Sequence, residues 1–215
     1  MRVRSWTFAA ALVLGALAPA AHAADPATIA RSGSGAATAC ASCHGARGEG
    51  QSAFPRLAGQ DPGYLARQLD DFATNRRANA VMGPIAKALS AEDRRAMADY
   101  YAHMPPPTAT QPAPPTSANG GWLATRGAWS KGVPGCVQCH GPGGRGVGSA
   151  FPAIAGQSAA YIASQLKAFR DGARRNDPQA LMRTPASKLT DADIEAVAGW
   201  FAAQPAQPAR NGGTR

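Results

Sequence analysis

Two pentapeptides in this sequence combine a pair of thiols with an imidazole: Cys40-Ala41-Ser42-Cys43-His44 and Cys136-Val137-Gln138-Cys139-His140. Thiols three positions apart can add to the two vinyl groups of one porphyrin. The adjoining imidazole then lies under the iron as its proximal ligand, so Cys-x-x-Cys-His is the haem c attachment pattern. A redox or structural disulfide would account for the thiols but not for a histidine after each pair. Structural zinc takes four ligands, and each pentapeptide offers three. The two motifs use all four cysteines of the chain. Two haem c groups are therefore expected, anchored through Cys40 and Cys43 and through Cys136 and Cys139, with His44 and His140 on the irons.

The sixth ligand follows by elimination. An electron-transferring haem has both axial positions filled, and in cytochromes of this kind methionine stands opposite histidine. Residues 118–204 hold no histidine besides His140 and a single methionine, Met182. The first half offers Met82, Met97, Met104 and His103. In an alignment of the two halves Met82 falls on Met182, whereas Met97 falls on Val197, His103 on Ala203 and Met104 on Gln204. Met82 and Met182 are thus the expected ligands, Met97 a core residue and His103 a surface residue at a helix end. A thioether favours ferrous iron, and burial in an apolar pocket acts in the same direction, so both potentials should be relatively high. An iron closed on both sides binds no small-molecule substrate. That argues for an electron carrier rather than an enzyme, and against a haem peroxidase, which needs an open position. Phe54-Pro55 and Phe151-Pro152 follow the two motifs at similar distances. Spacing alone leaves open whether these prolines shape a turn or offer a carbonyl to the ligand histidine.

Positioning these groups falls to two copies of one unit. C-A-S-C-H-G, F-P-R-L-A-G-Q and Y-L-A-R-Q-L-D-D-F in the first half answer C-V-Q-C-H-G, F-P-A-I-A-G-Q and Y-I-A-S-Q-L-K-A-F in the second. The offset is 96 at Cys40/Cys136, 97 at Phe54/Phe151 and 100 at Met82/Met182 and Leu89/Leu189. A register this constant marks an internal duplication. Tyr64, Leu65, Gln68, Leu69 and Phe72 share one helical face, as do Tyr161, Ile162, Gln165, Leu166 and Phe169. Ser90-x-x-Asp93 and Thr190-x-x-Asp193 resemble capping boxes with Asp in place of Glu, each opening a last helix. A short helix is expected before each cysteine pair, better marked from Trp122 to Trp129 than in the first copy, where Gly33 and Gly35 weaken it. No alternating pattern predicts a strand, so the expected fold is all-α. The expected organisation is domains at 24–104 and 118–204, a Pro-rich linker at 105–117 and a disordered tail at 205–215.

The N-terminus carries Arg2 and Arg4, a short apolar run from Trp6 to about Ala18, and Ala21-His22-Ala23. That is the pattern of a secretory signal peptide over 1–23, cleaved near Ala23, which predicts export to the periplasm. The whole chain has 22 Lys+Arg and 13 Asp+Glu; loss of Arg2 and Arg4 leaves a net charge of +7. Such a balance suits an acidic partner surface or the anionic face of a membrane. Nucleic acid is not indicated, because the basic residues are scattered and the protein is exported.

The series C-x-x-C-H-G, F-P-x-L/I-A-G-Q, Y-L/I-x-x-Q-L and Met followed by K-x-L-S/T-x-x-D resembles the cytochrome c4 family, dihaem periplasmic cytochromes of Gram-negative bacteria. The resemblance covers both halves. It implies two tandem cytochrome c-like domains related by a pseudo-twofold, with the haem propionate edges near the domain interface. It also implies His/Met ligation at His44 with Met82 and His140 with Met182, and Pro55 and Pro152 as acceptors for the histidines. Family members are thought to pass electrons from quinol-oxidising complexes towards terminal oxidases, so membrane respiratory complexes are the expected redox partners. An alternative is a dihaem subunit fixed in a periplasmic dehydrogenase, as in flavocytochrome c sulfide dehydrogenase. The chain departs from the family in its Pro-heavy linker, its Gly-rich approach to the first motif and its basic charge.

Overall fold

The computed structural model describes residues 25–108 and 118–208. The expected signal segment, most of the linker and the end of the tail lie outside the described residues. In the first half the helices are α1 (Pro26–Ser32), α2 (Ala41–His44), α3 (Pro62–Ala73), α4 (Met82–Ala88) and α5 (Ala91–Ala102). The second half repeats them as α6 (Ala118–Thr125), α7 (Val137–His140), α8 (Ala159–Arg170), α9 (Arg183–Ala186) and α10 (Asp191–Ala202). The architecture is mostly helical and duplicated, as the sequence predicts.

Local chemistry sets the helix starts. Asp25 and Asp61 each precede a proline at the first helical position, and their carboxylates accept from Thr28 N at 3.1 Å and Tyr64 N at 2.9 Å. The Thr190 box closes in both directions: Asp193 N donates to Thr190 Oγ1 at 3.1 Å, and Thr190 N donates to Asp193 Oδ2 at 3.0 Å. At Ser90 only half of it forms, with Asp93 N donating to Ser90 Oγ at 3.0 Å.

One expectation about local structure needs correction. The helix expected from Trp122 to Trp129 stops at Thr125, because Gly127 takes φ +78° and turns the chain into a hairpin. Its strands, β1 (Gly127–Ala128) and β2 (Val133–Pro134), pair antiparallel around a 3₁₀ turn at Trp129–Lys131. At two residues each they are too short for a period to show. In the first copy the expected short helix forms as α1, and Gly33 marks its end.

Each half packs its first helix on its last. Ile29, Leu65, Leu89, Met97 and Tyr101 form one core; Leu123, Val133, Ile162, Ile194, Val197 and Phe201 are among the other. Met97 is 2% exposed and belongs to the core, while His103 caps α5 in the open, its Nδ1 2.8 Å from Asp99 O.

The halves are tied by reciprocal bonds. Gln157 Oε1 accepts from Arg56 N at 2.8 Å, and its Nε2 donates to Arg56 O at 3.1 Å. Gln60 does the same at Ala153, donating to its carbonyl at 2.7 Å and accepting from its amide at 3.1 Å. Arg56 and Ala153 are equivalent positions, so the two clasps are related by the duplication. No described helix is long and apolar enough to cross a membrane.

Candidate functional site

Each Cys-x-x-Cys-His motif is a single helical turn that delivers its histidine inward. In α2, His44 N donates to Cys40 O at 3.0 Å; in α7, His140 N donates to Cys136 O at 2.9 Å. Gly45 at φ +83° and Gly141 at φ +76° end the turns. Both imidazoles are buried. Nδ1 of His44 lies 2.9 Å from Pro55 O, and Nδ1 of His140 lies 2.8 Å from Pro152 O. A carbonyl can only accept, so Nδ1 carries the proton and Nε2 keeps its lone pair. Burial pushes both histidines below their ordinary value, partly opposed by the proline carbonyls. They are therefore neutral at pH 7, the form that binds a metal. Phe54 and Phe151 meet the rings edge-on at 6.3 and 6.2 Å. Burial also raises the Cys40 thiol and pushes Cys136 up to about 11.

The loop after each histidine is pressed on the last helix. Gly48 O accepts from Leu57 N and Ala58 N at 2.8 and 3.0 Å, as Gly144 O does from Ile154 N and Ala155 N at 2.8 and 2.9 Å. A Cβ on Gly144 would stand 2.7 Å from the Phe201 ring, so only glycine fits there. The methionines sit where α4 and α9 begin. Asn79 Oδ1 accepts from Val81 N at 2.9 Å and Met82 N at 2.8 Å. In the second half the task passes to Asp177, whose Oδ2 accepts from Met182 N at 3.0 Å and Arg183 N at 2.9 Å. Its Oδ1 accepts from Arg183 Nε at 2.8 Å. The loop between them is longer and strained, with Gln179 and Ala180 at φ +52° and +56°. Sequence reasoning missed Asn79 and Asp177; an Asx residue shortly before each methionine was the available signal.

Cys40, Cys43, His44 and Met82 line the same cavity as Cys136, Cys139, His140 and Met182. It measures about 700 Å³ and runs across the interface between the halves, a size within the range of about 300–1,000 Å³ usual for cofactor pockets. None of the four cysteines forms a disulfide. Among the described residues no three His, Cys, Asp or Glu side chains converge as a protein-only metal site requires. Apolar walls, paired thiols, a buried histidine with its Nε2 free and a methionine in each half fit a porphyrin in each.

Where the cavity crosses the interface its wall is basic. Arg77 donates to Gln68 Oε1 at 3.0 Å and to Gln165 Oε1 at 2.7 Å. Arg174 donates to the same two oxygens at 3.0 and 2.9 Å. The two guanidiniums lie 4.6 and 4.5 Å from the rings of Phe72 and Phe169. Burial raises the Tyr161 phenol, but Arg77 and Arg174 outweigh that and hold it below its ordinary value. Their part was not foreseen, because each glutamine serves the arginine of the other half as well as its own.

The sequence signature of the cytochrome c family matches residues 30–105 and 128–203. The thiosulfate dehydrogenase electron acceptor of Thiomonas intermedia (strain K12) is 49% identical over 209 residues, covering 94% of this chain and 93% of that protein. The solved thiosulfate dehydrogenase TsdBA from Marichromatium purpuratum, in its as-isolated form, superposes with a TM-score of 0.80 at 38% identity. It covers 84% of this chain, but this chain spans only 40% of its length. Reduced recombinant cytochrome c4 from Pseudomonas stutzeri gives a TM-score of 0.72 at 35% identity, over 77% of this chain and 93% of that one. The chain belongs to the cytochrome c family, in the two-domain form it shares with cytochrome c4, and is an electron-transferring cytochrome with two haem c groups.

Proposed function

We propose that this protein accepts electrons from a thiosulfate-oxidising dehydrogenase in the periplasm and passes them towards membrane respiratory acceptors. The observation that carries the donor is likeness over nearly the whole chain to a thiosulfate dehydrogenase electron acceptor. It favours a dehydrogenase as partner over a quinol-oxidising complex, and a thiosulfate enzyme takes the place of the flavocytochrome given as the alternative from sequence. In this reading segment 1–23 directs export, domains 24–104 and 118–204 each hold one haem, and 105–117 joins them.

The bound haem supplies a one-electron ferric/ferrous couple. Cys40, Cys43, Cys136 and Cys139 anchor it as thioethers. His44 and Met82, and His140 and Met182, would hold the two irons, while the carbonyls of Pro55 and Pro152 keep each imidazole in the tautomer that can ligate. With both sides closed the chain exchanges electrons only and has no catalytic residues. The basic surface supports weak, charge-guided docking on an acidic partner or at the membrane face.

The test mixes the purified ferric protein with a thiosulfate dehydrogenase and thiosulfate, and follows haem absorbance. Both haems should become reduced, at a rate that falls as salt is added. Protein that ascorbate reduces fully but enzyme and thiosulfate leave oxidised would contradict the proposal. A mobile carrier between respiratory complexes is the second reading, favoured by the likeness to free-standing cytochrome c4.

A further inference from the structure

Arg56 is the largest fully buried side chain among the described residues, 1% exposed. Its guanidinium donates to Ala58 O through Nη1 and to Ala155 O through Nη2 at 3.1 Å. Ala58 and Ala155 are equivalent positions in the duplication, so the group sits where the two halves meet about their common axis. The equivalent of Arg56 itself is Ala153. One cation therefore serves both halves. It lines the cavity that holds both sets of haem-attachment residues, and its Nε has no hydrogen-bond partner.

A buried charge is expensive unless an opposite charge meets it. None of the ion pairs among the described residues involves Arg56, Arg77 or Arg174. The buried carboxylate nearby, Asp71, is already engaged by Arg76 at 2.8 Å and Asn176 at 2.7 Å. Burial alone lowers Arg56 to about 10, which leaves it charged at neutral pH. Three buried guanidiniums thus face one cavity with no ion pair of their own among the described residues, Asp71 favouring charged Arg77 only from beyond ion-pair distance. The groups that belong in that cavity bring anions of their own, since each haem carries two carboxylate side chains.

We propose that Arg56 is a shared counter-charge for the carboxylates of both haems and holds both reduction potentials up. A cation beside a haem opposes the extra positive charge of ferric iron, and one placed between two haems acts on both. The inference rests on the presence of the two haems and not on the identity of the electron donor. Arg77 and Arg174 add to the same positive field, but each is also held by its glutamine bonds.

The test is an optical redox titration of the holoprotein with Arg56→Gln, Arg56→Met and Arg56→Lys, haem content being measured for each. Gln keeps a polar group and Met fills the space without one, so the two neutral variants differ in how they can fail to fold. With two haems bound, both neutral variants should show both midpoint potentials lowered, while Arg56→Lys stays near the wild type. Unchanged potentials in a neutral variant, or movement of one haem alone, would overturn the proposal. An independent arm uses the wild type with added inorganic phosphate. Potentials that do not respond support the haem carboxylates as the anion; a response at constant ionic strength would point to an exchangeable anion and overturn it.

Discussion

Gln157 grips the backbone of Arg56 at both ends, accepting from its amide at 2.8 Å and donating to its carbonyl at 3.1 Å. The bond pair joins residues 101 apart in sequence and belongs to a buried interface. Replacing Gln157 with Ala leaves two donors, Arg56 N and Ser158 N, and one acceptor, Arg56 O, unpaired. At about 1–3 kcal/mol for each buried group so stranded, the holoprotein should lose roughly 3 kcal/mol or more. Denaturant unfolding followed by haem absorbance measures this. A loss no larger than that from an exposed glutamine would show that the clasp does not hold the domains.

The methionine loops depend on Asn79 and Asp177. Asp177→Ala removes three acceptor bonds from the start of α9, and a bond to a charged group contributes about 1.5–3 kcal/mol. Added imidazole should therefore compete for one iron per chain roughly tenfold or more better than in the wild type, the other being unaffected. Asn79→Ala should open the other haem instead. Equal weakening of both haems by either variant would count against separate loops.

Acid should undo the Thr190 capping box. The Thr190 backbone N–H holds the Asp193 carboxyl below its ordinary value of 3.8, assisted by the Thr190 hydroxyl and Lys131. A folded-state value below the unfolded one gives stability that is present above about pH 4 and lost as pH falls through the lower value. Asp193→Asn should lower the melting temperature at pH 6 by an amount matching about 0.5–1 kcal/mol. The gap between variant and wild type should narrow below pH 3.8. A gap that persists unchanged into acid would remove the carboxylate from the explanation.

How much of this was legible in the sequence depends on how far apart the partners lie. The two Cys-x-x-Cys-His turns, the helical faces and the pairing of Met82 with Met182 are local or repeated patterns, and the structure sets those residues around one cavity. The prolines were ambiguous because a carbonyl's partner cannot be read from spacing; the structure places Pro55 O and Pro152 O on the histidines. The hairpin at Gly127–Pro134 escaped because its strands are too short to show a period. Gln60 and Gln157 stood in plain view inside the repeated A-G-Q motif, yet their partners lie in the other half. Arg56 was hidden for the same reason, since only the assembled interface shows it buried and without a carboxylate.

The central claim is that each iron is closed by a histidine and a methionine. It is tested most directly by the long-wavelength thioether band of the ferric protein, compared between the wild type and Met182→Ala at two haems per chain. The account predicts that the variant keeps half the band, with one haem high-spin or open to added ligand and the Met82 haem unchanged. A variant retaining the full band would contradict it, as would a wild type in which one haem lacks the band from the start.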